Sequence, residues 1–431
     1  MKFKKINCFL SLVISKNSVF FSSIYFFFIA VNILFYFFFI SKYPHYIDFN
    51  HNLILSSLDH SFGEIIENII YNGKFSQKMF NFDLDFYLVK MPFGPYFLSF
   101  IYFFITKNFL LIILIKNLFF FTILICVAKA VLRYNFHILI LLIILFSIPF
   151  NLYNFLRIIP EEGFVNYLVV IFFLLFNSDI KNRTILLTIS LILLFFSKGS
   201  TCFFIYPTVL YFLYFEKKKT PLIAIAVCFL IWGSYAYLKV NKFISPFSLS
   251  SVGGMTISTA LNSEFNNIYP LQSPDILYPK VFADNHNFTQ NLTNEIDVDK
   301  IFKQYALNYI LNNKKEFFVS IVKKLKVIFF NIRKDAQLIN GSGYNKIQYS
   351  NFFNIFTLYF AILIILLKLI KKNAGKKDFF YLLFCSSYLF PFIVGILYTR
   401  HLVPIYMISA LYLYFELLVK NKNFNFLNKE N

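Results

Sequence analysis

Residues 352–370 read FFNIFTLYFAILIILLKLI and contain one charged side chain, Lys368. A helix needs ~20 mostly apolar residues to cross the hydrocarbon core of a bilayer, so this stretch is long enough to span a membrane. Its apolar residues are continuous instead of alternating, and backbone groups in lipid must be hydrogen-bonded within their own segment. The stretch therefore predicts a membrane-spanning α-helix and not a barrel strand.

Comparable apolar runs recur through the 431 residues, of which 58% are hydrophobic and 63 are Phe. We predict an all-α, polytopic membrane protein with about ten crossings, given the ~20 residues that each crossing takes. The predicted spans are 19–40, 117–133, 137–152, 163–178, 184–198, 200–215, 221–240, 352–370, 378–397 and 401–419.

The positions of the basic residues behind the net charge of +20 indicate how the chain crosses the membrane. Lys and Arg lie in short loops between apolar runs, not in a stripe with interleaved aromatics, which argues against nucleic acid as a partner. Lysines at 2, 4, 5 and 16 precede the first span, so the positive-inside rule predicts a cytoplasmic N-terminus, and no small-residue cleavage site follows that span. One alternating path then puts these basic clusters inside: 129–133, 181–183, 217–219, 371–377 and 420–422.

The apolar stretch 93–115 is interrupted by Lys107 and preceded by Pro92. We interpret it as interfacial or re-entrant helices on the outer side. The alternative is a single crossing, which would turn Lys217–Lys219 outward, against the positive-inside trend.

The alternating path predicts three regions. Residues 1–240 form a transmembrane catalytic core with outer loops 41–116 and 153–162, residues 241–351 form an outer region, and residues 352–431 form the C-terminal transmembrane helices. Within the outer region, residues 299–330 alternate apolar side chains with lysines at helical spacing, which predicts an amphipathic helix at the membrane surface.

Acidic residues on the predicted outer side are candidates for catalysis. Asp59 precedes a short amphipathic segment that ends at Asn72-Gly73-Lys74, and Glu161 and Glu162 follow Pro160 in a turn of about ten residues. Asp59 would also fit a helix N-cap, and Asp48 is a weaker rival for the same role. Adjacent acids in an apolar-flanked turn are costly to desolvate, which favours a function for the pair.

Cations on the same predicted side are candidates for binding a phosphate. They are Lys90 before Pro92, Arg157 in the short turn, Lys198 before Gly199, and the pair Arg400 and His401 before Pro404. Each could mark a helix end or extend toward headgroups. Together with the acids they predict an outward cavity that activates a hydroxyl and holds a phosphate.

The order of these features resembles the GT-C class of membrane glycosyltransferases, in particular protein O-mannosyltransferases and the aminoarabinose transferase that modifies lipid A. The resemblance covers most of the chain, and each motif is loose. Its motifs are an acid before a short helix (59–72), Lys-x-Pro before aromatic helices (90–102), an acid in the second loop (160–161), a basic residue followed by Thr and Pro (198–207), a surface helix (304–330) and Arg-His-x-x-Pro (400–404). The chain departs from the family in having His60 after Asp59, where Glu is frequent, and Glu161 where Asp is frequent.

The resemblance implies transfer of a sugar from a polyprenyl phosphate donor to a glycan, lipid or protein acceptor, with inversion, on the outer face of the membrane. Asp59 would be the general base, and Glu161, the second catalytic residue, would orient the acceptor. The residues that would bind substrate are Lys90, Arg157, Glu162, Lys198, Arg400 and His401. No oxygen-ligand motif is evident, so we expect no metal, although Glu161 could bind a divalent cation.

Two other functions stay open. A polysaccharide polymerase also has many spans and a large outer loop, and a lipid-linked sugar flippase or other transporter would ordinarily place ionisable residues near mid-membrane. The composition favours a bacterial inner membrane with the active site on the periplasmic face. The sugar and the acceptor are not identified by the sequence.

Overall fold

The structure, a computed structural model, describes residues 26–27, 29–31, 33–34, 60–78, 85–106, 109–131, 141–142, 144–146, 148, 151–152, 160–178, 180–246, 249–269, 277, 294–330 and 351–419. Helices dominate these residues, and the sheet among them is a pair of two-residue antiparallel strands. The predicted helical fold class is confirmed.

The N-terminal part of the described chain contains short helices around the strand pair. The elements are α1 (His60–Asn72), β1 (Gln77–Lys78), β2 (Asp85–Phe86), α2 (Phe93–Phe104) and α3 (Phe109–Val131). Helix α1 ends where the sequence predicts, because Gly73 adopts a φ of 60° that favours glycine after a helix.

A run of apolar helices follows. The elements are α4 (Pro160–Phe176), α5 (Arg183–Phe195), a 3₁₀ turn (Gly199–Thr201), α6 (Cys202–Phe215) and α7 (Thr220–Val240). Every described side chain from Glu162 to Phe176 is buried, so α4 lies at the centre of the bundle.

The predicted outer region contains α8 (Gly253–Ala260), α9 (Phe265–Ile268), α10 (Glu295–Asn312) and α11 (Lys314–Phe330). The single surface helix predicted over 299–330 is therefore wrong in one respect: it is two helices separated at Asn313. Asparagine competes for backbone hydrogen bonds, and here the Asn313 side chain donates to Tyr309 O at 3.2 Å, beside a run of polar residues.

The C-terminal part consists of α12 (Phe352–Ile370), α13 (Lys376–Val394), a 3₁₀ turn (Thr399–Leu402), α14 (Val403–Tyr414) and a π-helical turn (Phe415–Val419). Helix α14 is buried over most of its length and packs on α4 and α12. Helices α4 and α14 thus form the core around which the other apolar helices pack.

Three described helices, α7, α12 and α13, are long and apolar enough to cross a membrane. They coincide with the predicted spans 221–240, 352–370 and 378–397. Helices α2, α4, α5 and α6 and part of α3 are shorter apolar segments. The total of about ten crossings stays a prediction.

The stretch 93–115 is divided between two helices. Helix α2 has 12 residues and ends near Ile105, and α3 begins at Phe109. A 12-residue helix is ~18 Å long, which is less than the ~30 Å hydrocarbon core. The length of α2 fits the interpretation as a helix that does not cross.

Helices α4, α6 and α14 run in one direction and α5 and α13 in the other, so their termini collect at two ends. One end, the site end, holds the starts of α4, α6 and α14 and the last residues of α5 and α13. The opposite end holds the loops that contain Arg183, Glu216 and Lys376, where Arg183 pairs with Glu216 at 2.6 Å and Tyr211 Oη donates to Lys376 O at 3.3 Å.

Candidate functional site

Three loop–helix junctions bring charged residues to the site end. Glu162 lies in the first turn of α4 after Pro160, Lys198 immediately precedes the 3₁₀ turn before α6, and Arg400 and His401 lie in the 3₁₀ turn before α14. Proline suits the first turn of a helix because its missing N–H would have no partner there, and Pro404 occupies that place in α14.

The Glu162 carboxylate is the centre of the cluster. Its Oε1 atom lies 3.1 Å from Lys198 Nζ, 3.4 Å from Arg400 Nε and 3.7 Å from His401 Nε2. Glu162 is 7% exposed, so burial of its charge must be offset by these neighbours. We call these four residues the Glu162 cluster.

The second carboxylate oxygen of Glu162 is buried and differs from the first in its hydrogen bonding. Among the residues that the structure describes, Glu162 Oε2 has no hydrogen-bond partner although it is buried. Buried polar atoms in proteins are nearly always paired, and exceptions commonly mark a functional position. Oε2 is therefore a buried acceptor without a described partner, inside the Glu162 cluster.

His401 contributes a neutral imidazole. Its Nδ1 accepts a hydrogen bond from Tyr398 N at 3.3 Å, so the ring proton lies on Nε2, which faces Glu162. Lys198 and Arg400 then supply two positive charges against one negative charge. The Glu162 cluster has an excess of one positive charge, which suits an anionic ligand.

Aromatic rings fix the cations. The Phe392 ring stacks on His401 at a centroid distance of 4.1 Å, and Lys198 Nζ lies 5.7 Å from the centre of the same ring. Arg400 Cζ lies 3.9 Å from the centre of the Tyr398 ring. Such cation–π contacts restrain charged side chains that would otherwise be mobile.

The turn that presents Lys198 is closely packed. The Thr201 hydroxyl lies 2.8 Å from Leu194 O and 2.6 Å from Lys198 O, and it donates to these carbonyls. A Cβ atom on Gly199 would lie 3.1 Å from Ser250 Cβ, so a larger residue would push that loop away. Glycine at this position allows the outer loop to approach beside Lys198.

Two other predicted site residues, Glu161 and Lys90, lie near the Glu162 cluster in the chain or in the fold. Glu161 belongs to α4 directly before Glu162, but its side chain lies outside the description. Lys90 is half-buried in the bend before α2, whose first residue, Phe93, donates its N–H to Phe196 O at 2.9 Å, two residues before Lys198. The Lys90 segment therefore passes next to the Lys198 turn.

The other predicted residues, Asp59 and Arg157, and the rival Asp48, lie outside the described residues. Helix α1 begins at His60, one residue after Asp59. Their roles stay predictions. The described residues include no group of three or more His, Cys, Asp or Glu side chains that could hold a metal ion.

Glu295 is a buried carboxylate that the sequence did not identify. It accepts hydrogen bonds from Tyr87 N at 2.8 Å, Leu88 N at 3.1 Å and Ser251 Oγ at 2.5 Å. Burial raises the pKa of Glu295 to about 7, although these hydrogen bonds act in the opposite direction. Glu295 therefore connects Tyr87 and Leu88, which lie just before Lys90, to Ser251 in the loop that packs on Gly199.

Lys324 is a second buried charge that the sequence could have indicated. It lies on the same face of α11 as Ser320, Val327 and Ile328, at helical spacing, and it is 0% exposed. A lysine on the apolar face of an amphipathic helix is the pattern that marks it. The other lysines of this helix lie on other faces.

No protein-family model matches the chain, and neither the curated proteins nor the solved structures contain a match.

Proposed function

We propose that the protein is a membrane glycosyltransferase that moves a sugar from a polyprenyl phosphate donor to an acceptor hydroxyl or similar nucleophile. The observation that carries the proposal is the convergence of Lys198 and Arg400 on Glu162 at one end of an apolar bundle. The sugar itself comes from the resemblance of the sequence to the GT-C class. About ten crossings, a bacterial inner membrane and a site on its outer face belong to the same proposal.

The cations would bind the donor phosphate. The cluster has one positive charge in excess, and it lies at the first turns of α4 and α14, where backbone N–H groups add positive potential. Charge stabilisation acts on the developing negative charge of the departing phosphate, and in a site with little water it is worth more than at a surface. A phosphate group is the ligand that best matches this arrangement.

The reaction is a single displacement. The acceptor oxygen attacks the anomeric carbon, the bond from that carbon to the phosphate oxygen breaks, and the electron pair leaves with the polyprenyl phosphate. The acceptor proton passes to Asp59, the proposed general base, a role worth about 10²- to 10⁴-fold in rate. Inversion at the anomeric carbon follows.

Glu162 would act on both substrates. Its Oε1 atom holds Lys198 and Arg400 in place, and its buried Oε2 atom, which has no partner among the described residues, would accept a hydrogen bond from a substrate hydroxyl once neighbouring side chains move aside. Glu161 would assist from the adjacent position, and Lys90 and Arg157 would approach the phosphate from the neighbouring loops.

The first test is turnover. Membranes containing the protein are incubated with radiolabelled polyprenyl phosphate mannose or polyprenyl phosphate aminoarabinose, the donor types of the two families that the sequence resembles. We expect free polyprenyl phosphate and a labelled acceptor, and neither product with the Asp59→Asn variant. Transit of intact donor across proteoliposomes without release of lipid phosphate would instead indicate a transporter.

The second test separates binding from chemistry. Purified protein in detergent is heated with polyprenyl phosphate or with the uncharged polyprenol. We expect polyprenyl phosphate, and not polyprenol, to raise the melting temperature of the wild type and of Asp59→Asn. If polyprenyl phosphate does not stabilise the wild type, the Glu162 cluster is not its binding site.

A further inference from the structure

Residues 395–398 connect α13 to the 3₁₀ turn that carries Arg400 and His401. Helix α13 ends at Val394, and a Cβ atom at Gly395 would lie 2.8 Å from Pro391 O, so the chain turns sharply where a side chain does not fit. The rings of Phe392 and Tyr398, at the two sides of this turn, contact His401 and Arg400. The backbone course of this connection therefore sets the position of both site residues.

The surface helices hold this connection from the outer side. Lys324 Nζ, on α11, donates to Ile393 O at 2.9 Å and lies 3.4 Å from Val394 O. Tyr269, which directly follows α9, is buried and donates its hydroxyl to Leu397 O at 3.1 Å. Three backbone carbonyls between residues 393 and 397 thus receive side chains from outside the apolar bundle.

Lys324 is well matched to its position. The last carbonyls of a helix lack partners within the helix and carry partial negative charge, and a cation there is favourable. Lys324 Nζ also lies 4.8 Å from the centre of the Phe265 ring, which stacks on Tyr269. Burial lowers the pKa of Lys324 to about 7. Sequestering an amine at this cost fits a role that solvent could not perform.

We propose that Lys324 and Tyr269 are positioning residues that hold the 393–398 backbone and thereby keep Arg400 and His401 against Glu162. Neither residue touches the Glu162 carboxylate, and both act through the connection between α13 and α14. The outer region is therefore a support for the site as well as a surface element. The inference rests on the proposed function only in assigning Arg400 to the donor phosphate.

Hydrogen exchange in nanodiscs tests the positioning itself. The N–H groups of Gly395, Tyr398 and His401 are hydrogen-bonded within the connection, so peptides covering 395–402 report its opening. We expect about tenfold faster exchange there in Lys324→Met, with α6 peptides unchanged. Lys324→Arg should restore slow exchange, because it keeps the cation and its donors, and Lys326→Met, an exposed lysine on the same helix, should match the wild type.

Binding of polyprenyl phosphate is measured on the same samples. The affinity is expected to fall about tenfold in Lys324→Met and not in Lys326→Met. If Lys324→Met does not fold, Tyr269→Phe removes only the hydroxyl that donates to Leu397 O, and it should show faster exchange at 395–402 with a native melting temperature. Unchanged exchange at 395–402 in every folded variant would overturn the inference.

The two proposals fail separately. Faster exchange at 395–402 in a protein whose wild type does not bind polyprenyl phosphate would support the positioning role and reject the proposed function. Binding of polyprenyl phosphate by the wild type, with unchanged exchange in the variants, would support the proposed function and reject the positioning role.

Discussion

Both ends of the helix bundle hold buried carboxylates among charged neighbours, but the net charge of the two clusters has opposite sign. At the site end, Glu162 contacts Lys198 and Arg400, and its Oε2 atom has no hydrogen-bond partner among the described residues. At the opposite end, Lys368 lies between Asp378, at 2.6 Å, and Glu416. One end has a surplus positive charge and the other a surplus negative charge.

The Lys368 network is closed. Asp378 Oδ1 accepts from Lys368 and from the Tyr412 hydroxyl, and Asp378 Oδ2 accepts from Gly375 N at 2.7 Å. These contacts join the ends of α12, α13 and α14. A satisfied network of this kind specifies and rigidifies packing. Under the proposed function, charge burial serves assembly at the opposite end and ligand binding at the site end.

The largest expected effect comes from removing a cation at the site end. Lys198→Met should lower turnover by about 10²- to 10³-fold, the loss typical of one electrostatic donor in a catalytic site, and should remove stabilisation by polyprenyl phosphate. Turnover and thermal shift are measured against Lys181→Met, which removes an exposed lysine at the opposite end. Equal losses in both variants would show that the effect is not specific to the site end.

Removing the cation at the opposite end should instead affect stability. Lys368→Met leaves Asp378 and Glu416 buried beside each other, and breaking a buried pair costs about 4 kcal/mol of unfolding free energy. Denaturant titration in detergent measures this loss, with Lys371→Met, an exposed lysine at the same helix end, as the control. A folded Lys368→Met protein should bind polyprenyl phosphate like the wild type; weakened binding would break the comparison between the two ends.

Another buried carboxylate, Glu295, extends the comparison because its described hydrogen bonds come from neutral donors. Its pKa is raised from 4.5 to about 7 by burial, so the folded state binds the proton more tightly than the unfolded state. Its contribution to stability is therefore complete below pH 4.5 and is lost as the pH rises through about 7, on the order of 3 kcal/mol.

Glu295→Gln should remove this component. Melting temperatures recorded from pH 4.5 to 8 should fall with pH more steeply in the wild type than in the variant. Parallel curves would mean that Glu295 does not titrate in this range.

The smallest effect is expected at the partly exposed ion pair of the opposite end, Arg183 and Glu216. Arg183 and Glu216 lie 2.6 Å apart, with side-chain exposures of 27% and 20%. A partly solvated pair contributes at most about 1 kcal/mol. Glu216→Gln should therefore change the unfolding free energy far less than Lys368→Met, and a comparable loss would show that exposure does not separate the two networks.

Local features of the fold were predictable because they depend on residue type and spacing. The spans at 221–240 and 352–370 follow from apolar length, and the end of α1 follows from Gly73. The division between α10 and α11 at Asn313 was missed, since the alternation of apolar residues continues across it. The local cause of the break is Asn313, whose side chain donates to Tyr309 O, and hydrophobic periodicity does not register it.

The site was predictable only as a set of candidates. The sequence placed Lys198, Arg400 and His401 on the same predicted side with Glu161 and Glu162, but it favoured Glu161 as the catalytic acid. Adjacent helical residues point ~100° apart. Which side chains of the first turn of α4 reach the cations depends on how α4 is rotated against α6 and α14, and the Glu162 side chain reaches them.

The sequence by itself determined the helical fold class, the helices that are long and apolar enough to cross a membrane, and the placement of charges at helix ends. The length of an apolar run and the cost of charge in lipid are properties of each segment. Only the tertiary structure decided that Lys198 and Arg400 share one carboxylate and that Lys324 reaches the end of α13. Apolar packing is non-directional, so many rotations of the helices would bury similar area. The rotation adopted is set jointly by all contacts of the folded bundle.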